Sequence, residues 1–265
     1  MREHITGRDN PLVKLAVKLA ASRTARREAG LYLCDGPTLL PEALAKGAQV
    51  TAVLCAEGMA LPALPEGVRI AELPERLLRA VSPTETPQGL VFLTKLPDAA
   101  PPVRPADGRF VLLDRVQDPG NVGSILRTAS AFSVSGVILG PGCADPFSPK
   151  AVRAAMGAAF GLPVFETPDP LEALKDCKLP VYAAALSHDA IDIRGADLSS
   201  CVLLLGNEGA GLSDELLNRA DARIKIPMAA ECQSLGVAVA AAVLLYNAEF
   251  GMRNAELGTR SERIR

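Results

Sequence analysis

Two loops of this chain combine polar side chains with glycines, and each follows directly after an apolar run. The first loop reads DRVQDPGNVGSILRT over residues 114–128 and follows FVLL, and the second reads GNEGAGLSD over residues 206–214 and follows CVLLL. Each pattern predicts a strand, a glycine turn and a helix start, which places backbone amides and polar groups at the carboxyl edge of a sheet. Open α/β sheets bind their ligands at that edge. A third segment, IPMAAECQSLGVAVAAAVLLY over residues 226–246, completes the set.

The glycine pattern of the second loop argues against two common nucleotide sites. It is G-x-x-G-x-G, not the dinucleotide fingerprint G-x-G-x-x-G, and it lacks the Gly-Lys-Ser/Thr of a phosphate loop. Taken alone, the hexamer is equally well explained as a tight turn. Asn207 and Glu208 within the turn favour ligand binding, because two polar side chains at a strand's carboxyl edge are poorly explained by folding alone.

Several residues of the first loop can be explained either by folding or by function. Pro119 and Gly120 suit a turn, and Asn121 is predicted to cap the following helix. Gly123 in the first helical turn would lower stability relative to alanine, which indicates a close approach to the backbone. Arg127 is either a surface arginine whose stem lies along apolar neighbours or a guanidinium aimed at a phosphate or a reacting oxygen.

A proline-rich stretch, LPDAAPPVRPADG over residues 96–108, is the best linker candidate in the chain. We therefore predict a first domain over 1–100, a linker over 101–108 and a second domain over 109–265. Strands and helices alternate in both pieces. This pattern is typical of the α/β class, with a small α/β sandwich first and then a mostly parallel sheet with helices on both faces.

The elements follow from apolar periodicity and capping residues. In the first piece a basic helix is predicted over 11–30. The predicted strands there are LYLCDG, VTAVLCA, VRIAEL and GLVFLTKL, and the other predicted helices are PTLLPEALAKG and PERLLRAV. In the second, strands are predicted over 110–114, 136–140, 163–166, 180–186, 201–206 and 223–226. Ser148, followed by Pro149, and Ser213 are predicted helix caps. The final helix, 234–250, is apolar on nearly all sides and is expected in a core or a subunit interface.

The net charge of −2 provides no global basic field that would attract nucleic acid. Residues 1–30 nevertheless carry a local excess of four positive charges. Such a run is either the solvated face of a helix or a patch that contacts phosphates. On the second interpretation, Arg23, Arg26 and Arg27 are the candidate residues that contact the phosphates of a nucleic acid.

The six cysteines show no CxxC spacing, and most lie in or beside apolar runs. They are interpreted as reduced core residues of a cytoplasmic protein. With only His4 and His188, and neither near a cysteine pair, no metal site is expected. The longest apolar run, 237–246, is too short to span a bilayer, so no membrane association is expected.

Taken together, the three segments resemble the three sequence motifs of the SpoU-type (TrmH-like) RNA 2′-O-ribose methyltransferases of the knotted SPOUT superfamily. The stretch DPFSPKAVRAAMGAAFGLPV, 145–164, resembles the family's intermotif segment, and the N-terminal piece resembles its RNA-substrate-binding domain. The resemblance covers nearly the whole chain. It implies a trefoil knot, a homodimer, and transfer of a methyl group from S-adenosylmethionine to a ribose 2′-hydroxyl of RNA.

The resemblance also assigns roles to individual residues. It implies one set of catalytic residues and one set that binds the cofactor. Arg127 is expected to orient the hydroxyl and stabilise negative charge, since a guanidinium is a poor general base. The catalytic candidates are Asn121, Arg127, Glu208 and Ser234. The cofactor-binding candidates are Leu186, Gly206, Asn207, Gly211, Ile226 and Leu235, with backbone groups of Gly206, Ile226 and Leu235 at the adenosine part.

The third motif departs from the family pattern. The family commonly reads Glu-Ser-Leu-Asn, whereas this chain reads Gln233-Ser234-Leu235-Gly236. The missing amide leaves three alternatives open: Asn207 or Gln233 substitutes for it, substrate positioning is weaker, or the chain is an RNA-binding protein with a weakened site. A methyltransferase for small molecules is disfavoured, because it would need neither the basic segment nor the extra domain. Ribosomal RNA is favoured over transfer RNA because the N-terminal piece resembles that of rRNA-modifying members.

Overall fold

A computed structural model describes residues 2–97, 105–229, 231–232 and 234–261, with side chains as far as residue 250. The chain forms two compact units. The first combines the described residues up to 97 with Asp145–Gly161, and the second contains 105–144 and the residues from Leu162 onward. Asp145–Gly161 thus groups with the first unit although it lies within 109–265. The domain boundaries stay a prediction, and residues 101–104 of the expected linker lie outside the described residues.

The described strands and helices alternate along much of the chain. In chain order the strands are β1 Arg2–His4, β2 Leu31–Asp35, β3 Val50–Ala56, β4 Arg69–Leu73, β5 Leu90–Lys95, β6 Arg109–Leu113, β7 Gly136–Leu139, β8 Val164–Glu166, β9 Val181–Ala184, β10 Ile191–Asp192, β11 Cys201–Leu205 and β12 Ala222–Lys225. The helices are α1 Pro11–Ala21, α2 Arg23–Ala29, α3 Leu39–Ala45, α4 Glu75–Val81, α5 Pro119–Ala131, α6 Pro149–Ala155, α7 Pro170–Leu174, α8 Asp214–Arg219 and α9 Val237–Ser261.

The first unit contains a five-stranded sheet in the order β1-β4-β3-β5-β2. Strands β1, β4 and β3 are parallel, whereas β5 runs antiparallel to both β3 and β2. The four strands predicted from the sequence are present, and the short edge strand β1 was not predicted. A core of leucines, valines and alanines from α1, α4 and the sheet lies on one face.

The prediction of one continuous basic helix over 11–30 is wrong, because two helices, α1 and α2, occupy this segment. Ser22 has extended backbone, with φ −129° and ψ 122°, and it separates α1 from α2. Its hydroxyl accepts a hydrogen bond from the Ala25 amide at 3.2 Å, so Ser22 caps α2. Serine at a helix start satisfies an amide that has no partner within the helix.

The second unit contains a seven-stranded sheet in the order β10-β12-β9-β11-β6-β7-β8, and every neighbouring pair is parallel. All five residues of β11 and all four of β7 are buried. Continuously apolar strands are typical of a parallel sheet that is covered on its faces. The prediction of an α/β fold with a mostly parallel sheet is confirmed.

Helix starts in the second half of the chain match the sequence in part. Ser148 caps α6, and its hydroxyl accepts from the Ala151 amide at 3.4 Å. The capping role predicted for Asn121 is wrong, because Asp118 caps α5 and its carboxylate accepts from the Asn121 amide at 3.0 Å. Proline at 119 disfavours helical backbone at the preceding residue, which fixes Asp118 as the cap. Helix α9 begins at Val237, three residues later than predicted.

All six cysteines are free thiols, and Cys34, Cys55, Cys143 and Cys201 are buried, as predicted. Burial raises the pKa of Cys201 to about 12, which keeps this thiol protonated and unreactive at neutral pH. Cys232 is exposed, contrary to the expectation of a core position.

No helix within the described ranges is long and apolar enough to cross a lipid bilayer.

Candidate active site

A cavity of about 510 Å³ lies at the carboxyl ends of β9, β11 and β12 in the second unit. Its volume is typical of a site for a small ligand, roughly 300–1,000 Å³. Its wall is formed by the segments 184–186, 205–212 and 224–226 with Met228, by Leu217 of α8, and by residues from Ser234 into α9. The sheet edge that the sequence indicated therefore carries a concave site.

The structure brings most of the predicted site residues together at this cavity. The lining includes all six cofactor-binding candidates and two of the four catalytic candidates, namely Leu186, Gly206, Asn207, Gly211, Ile226 and Leu235 with Glu208 and Ser234. Leu186 is 59% exposed and lies at the rim. Asn121 and Arg127 are absent from the described lining.

The loop after β11 is a closed turn that requires glycine at its first position. The Asn207 amide donates to the Gly211 carbonyl at 3.0 Å, and the Gly211 amide donates back at 2.9 Å. A Cβ atom at Gly206 would lie 2.3 Å from the Gly211 carbonyl carbon. Gly211 has φ +69°, a conformation that disfavours other residues. The turn thus presents bare backbone to the cavity.

The Asn207 side chain is used to build this turn. Its Oδ1 accepts hydrogen bonds from the Gly209 and Ala210 amides, both at 2.9 Å. Its Nδ2 donates to the Arg115 carbonyl at 2.9 Å. Contrary to the prediction from the sequence, folding explains the Asn207 side chain, because its amide is fully engaged by the turn and by Arg115.

Asn121 and Glu208 connect the first loop to the second. Asn121 is the third residue of α5, and its Nδ2 donates to Glu208 Oε1 at 2.6 Å. A hydrogen bond to a carboxylate is stronger than one between neutral groups. Because Asn121 does not cap the helix, its side chain can reach across and hold the Glu208 carboxylate at the cavity.

Arg127 lies elsewhere on α5. It follows Asn121 by six residues, which corresponds to about 9 Å along a helix and about 120° around it. The side chain is exposed, and it has no hydrogen-bond or ion-pair partner within the described part of the chain. This guanidinium is therefore available to an external anion or oxygen, although the structure does not bring it into the cavity.

The three arginines predicted to bind RNA have different environments in the first unit. Arg26 is only 4% exposed, and its Nε and Nη2 donate to Asp145 Oδ2 at 2.8 and 2.7 Å. Its Nη1 donates to the Leu19 carbonyl. The prediction that Arg26 contacts RNA is thus wrong, because its charge is neutralised inside the protein. Arg23 and Arg27 are exposed.

Comparison with known protein families decides the classification of this chain. The SpoU rRNA Methylase family model matches residues 108–246, and the MRM3-like substrate binding domain model matches residues 10–91. This chain belongs to the SpoU rRNA Methylase family. The prediction of an S-adenosylmethionine-dependent RNA 2′-O-ribose methyltransferase is confirmed by this membership and by the relatives below.

Relatives of this SpoU methylase match it over most of its length. The 23S rRNA (guanosine(2553)-2′-O)-methyltransferase RlmP of Bacillus subtilis (strain 168) is 36% identical over 85% of this chain and 91% of its own. An AdoMet-bound rRNA methyltransferase from Sinorhizobium meliloti has a TM-score of 0.81 and 31% identity, covering 93% and 97% of the two chains. The AdoMet complex of the SpoU methyltransferase AviRb from Streptomyces viridochromogenes has a TM-score of 0.80 and 29% identity, covering 90% and 97%.

Sequence reasoning missed several residues that shape the site. Asp118 is the true cap of α5, and the following proline was the available signal. Met228, Ala240 and Leu244 line the cavity without any polar signature in the sequence. Arg115 has φ +55°, which no sequence pattern revealed.

Proposed function

We propose that this SpoU methylase transfers the methyl group of S-adenosylmethionine to a ribose 2′-hydroxyl of ribosomal RNA. The observation that carries the proposal is the convergence of the loop 206–212, Ile226 and Leu235 on one cavity at the sheet edge. The relative from Bacillus subtilis is named as a 23S rRNA methyltransferase, which supports the substrate. Two of the similar solved structures are AdoMet complexes, which supports the cofactor.

The residues around the cavity fit the cofactor. Apolar side chains of Leu186, Ile226 and Leu235 line it and suit the faces of an adenine ring. The backbone of the 206–211 turn offers hydrogen-bond donors and acceptors for the polar edges of the cofactor, because its glycines leave that backbone uncovered. Glu208 places a carboxylate beside this backbone. We assign the adenosine part to Gly206, Ile226 and Leu235, with Leu186, Asn207 and Gly211 shaping the same wall.

Methyl transfer to a hydroxyl needs alignment of the reactants, loss of the hydroxyl proton and stabilisation of the developing oxyanion. When bound, the cofactor supplies a methyl group on a positively charged sulfur. We assign Arg127 to orienting the hydroxyl and stabilising its negative charge, since its guanidinium is exposed and has no partner in the described chain. Asn121 holds Glu208 at the cavity, and we assign Ser234, which lines the cavity, to orienting the reactants by hydrogen bonds.

A catalytically weakened RNA-binding protein is the second candidate, and it rests on Gly236. Asn207 does not replace the missing amide, because its own amide is committed to the loop. Gln233 lies outside the described residues. A Cβ at Gly236 would meet nothing within 4 Å, so Gly236→Asn introduces no clash at its Cβ. The second candidate is favoured if Gly236→Asn gains methylation that the natural chain lacks.

The proposed RNA surface of the first unit includes Arg23 and Arg27. The Arg27 guanidinium carbon lies 5.5 Å from the centroid of the Phe147 ring, which holds the cation over an aromatic face. Exposed cations that contact phosphates contribute a salt-dependent part of RNA affinity.

We expect Arg27→Glu to weaken rRNA binding and to flatten its salt dependence, with a small fall in melting temperature from loss of the contact with Phe147. Arg26→Ala should instead lower the free energy of unfolding by about 3 kcal/mol, because it leaves the buried Asp145 carboxylate without its partner. Filter binding across a salt series and denaturant unfolding measure the two effects. RNA affinity that is unchanged in Arg27→Glu would refute the proposed surface.

The proposed assembly is a homodimer that buries part of α9. Val239 and Tyr246 of this helix are 53% and 54% exposed in the single chain. Burial of such apolar area is the main source of association energy. Sedimentation at micromolar concentration should give about twice the chain mass of 27.7 kDa, and a species of only 27.7 kDa would contradict the dimer.

The proposal includes a trefoil knot in the second unit and a cytoplasmic location. The family resemblance of the three motif segments supports the knot, which general rules of chain topology would otherwise disfavour. The buried free thiols support a reducing compartment.

Binding of S-adenosylmethionine should raise the melting temperature of the full chain. A ligand at 100 times its Kd adds about 2.7 kcal/mol of stability when it binds only the folded state. Scanning calorimetry with and without the cofactor measures this shift, with adenosine triphosphate as the control ligand. A melting temperature that does not respond to the cofactor would overturn the proposed site.

A further inference from the structure

Asp114 and Arg115 directly follow β6 and contact the loop 206–213, called the cavity loop below, from outside the cavity. Asp114 is 5% exposed, and its Oδ2 accepts a hydrogen bond from the Ser213 amide at 2.8 Å. The Arg115 guanidinium lies against the same carboxylate, with Nε 3.2 Å from Oδ1 and Nη2 3.1 Å from Oδ2. Asp114 thus connects the end of the loop to a neighbouring cation.

Arg115 reaches the same loop at two further points. Its carbonyl oxygen accepts from Asn207 Nδ2 at 2.9 Å, and its Nη2 donates to the Gly211 carbonyl at 3.4 Å. The pair therefore contacts the loop at its beginning, at Asn207, and at its end, at Gly211 and Ser213. Neither Asp114 nor Arg115 is among the described lining residues, so any effect on a ligand passes through the loop.

The backbone of Arg115 is in an unfavourable conformation. Its φ of +55° lies in the left-handed region, which residues with a Cβ rarely adopt. The other described residues of this kind that are not glycine are Ser133 and Met156. A non-glycine residue persists in such a conformation when the surrounding contacts over-determine it, and an observed outlier of this kind points to a functional constraint. Here those contacts are with Asp114 and the cavity loop.

We propose that Asp114 and Arg115 are positioning residues that hold the loop 206–213 in the conformation that binds S-adenosylmethionine. This inference rests on the proposed function, because it assigns the loop to the cofactor. The loop contains Gly206, Gly209 and Gly211, whose backbone is free to adopt many conformations when it is not held. Fixing a loop in its bound conformation before the ligand arrives lowers the entropy lost on binding.

The variant that tests the proposal is Arg115→Gly in the full chain. Glycine accepts a φ of +55° without strain and retains the carbonyl that Asn207 contacts, but it removes the guanidinium. We expect the Kd for S-adenosylmethionine to rise about tenfold, since hydrogen bonds to charged groups are lost around the loop. Calorimetric titration without RNA measures this Kd, and rRNA affinity without cofactor should stay at the wild-type value.

Two further variants separate positioning from general stability. Ser133→Gly relieves the same kind of backbone strain at φ +53° but outside the loop, so it should leave the cofactor Kd unchanged. Arg115→Lys retains a cation beside Asp114 without the planar fork, and it should recover part of the lost affinity.

The outcomes distinguish this inference from the proposed function. Wild-type protein that does not bind S-adenosylmethionine would overturn both. Wild-type protein that binds, together with Arg115→Gly that binds equally well, would overturn the positioning role alone. Equal losses of cofactor affinity and rRNA affinity in Arg115→Gly, with a lowered melting temperature, would also overturn it, because they would show a structural role.

Discussion

Replacing Arg127 with alanine is expected to lower the kcat of rRNA methylation by about 10²–10³-fold, as for the loss of one donor to an oxyanion. The guanidinium is exposed and has no partner in the described chain, so its removal leaves no buried charge uncompensated. Arg127 is not among the described residues that line the cavity, so the Kd for S-adenosylmethionine should change little. Single-turnover methylation and calorimetric titration give the two quantities separately.

Two companion variants sharpen the Arg127 experiment. Arg127→Lys should recover little activity, because an ammonium group lacks the planar fork of the guanidinium. Arg194→Ala removes another exposed arginine of the second unit, one that pairs with Asp192, and it should methylate at the wild-type rate. Near-normal methylation by Arg127→Ala would contradict the assigned role. So would a loss of activity that is explained by weaker cofactor binding or by unfolding.

Gly206→Ala is expected to abolish cofactor binding. The added Cβ would lie 2.3 Å from the Gly211 carbonyl carbon and 2.4 Å from the Leu212 amide nitrogen. These are backbone atoms that cannot move aside like a flexible side chain, so the turn has to open. We expect the Kd for S-adenosylmethionine to rise by at least about 10²-fold, since loss of loop geometry removes several contacts at once.

Gly209 provides a matched control within the same loop. A Cβ there would approach only Asn207 Oδ1, at 3.6 Å, which is an ordinary contact. Gly209→Ala should therefore bind the cofactor with nearly wild-type affinity. If Gly206→Ala shows a wild-type thermal shift with S-adenosylmethionine, the loop is not part of the cofactor site.

The sequence predicted the elements around the site because their patterns are local. The runs FVLL and CVLLL became the buried strands β6 and β11, and the loops after them meet at one edge of the sheet. The parallel order of these strands follows from the alternation of strands and helices. The short strands β1 and β10 were missed, since two or three residues carry no usable periodicity.

The errors arose where distant contacts decide the environment of a residue. Arg26 reads as one of several surface cations in a basic run, but Asp145, far along the chain, pairs with it in the interior. Asn207 reads as a ligand-binding polar residue, whereas three hydrogen bonds commit its side chain to the turn and to Arg115. Neither partner is visible in the local sequence, because both contacts depend on tertiary packing.

Asn121 shows a different kind of limit. Its type suits a helix cap, but Pro119 sets the helix start and moves the cap to Asp118. The displaced side chain then meets Glu208 at 2.6 Å, a contact that joins the first and second loops. The resemblance placed both residues at the site, and only the structure shows their hydrogen bond.

The most direct test of the central claim is a methyl-transfer assay with the purified full chain. The substrates are S-adenosylmethionine that carries a labelled methyl group and ribosomal RNA from a strain that lacks the enzyme. We expect label on a ribose 2′-oxygen, detected as a phosphodiester bond that resists alkaline hydrolysis, and no label with Arg127→Ala over the same time. Label on a base, or no transfer to ribosomal RNA by protein that binds the cofactor, would contradict it.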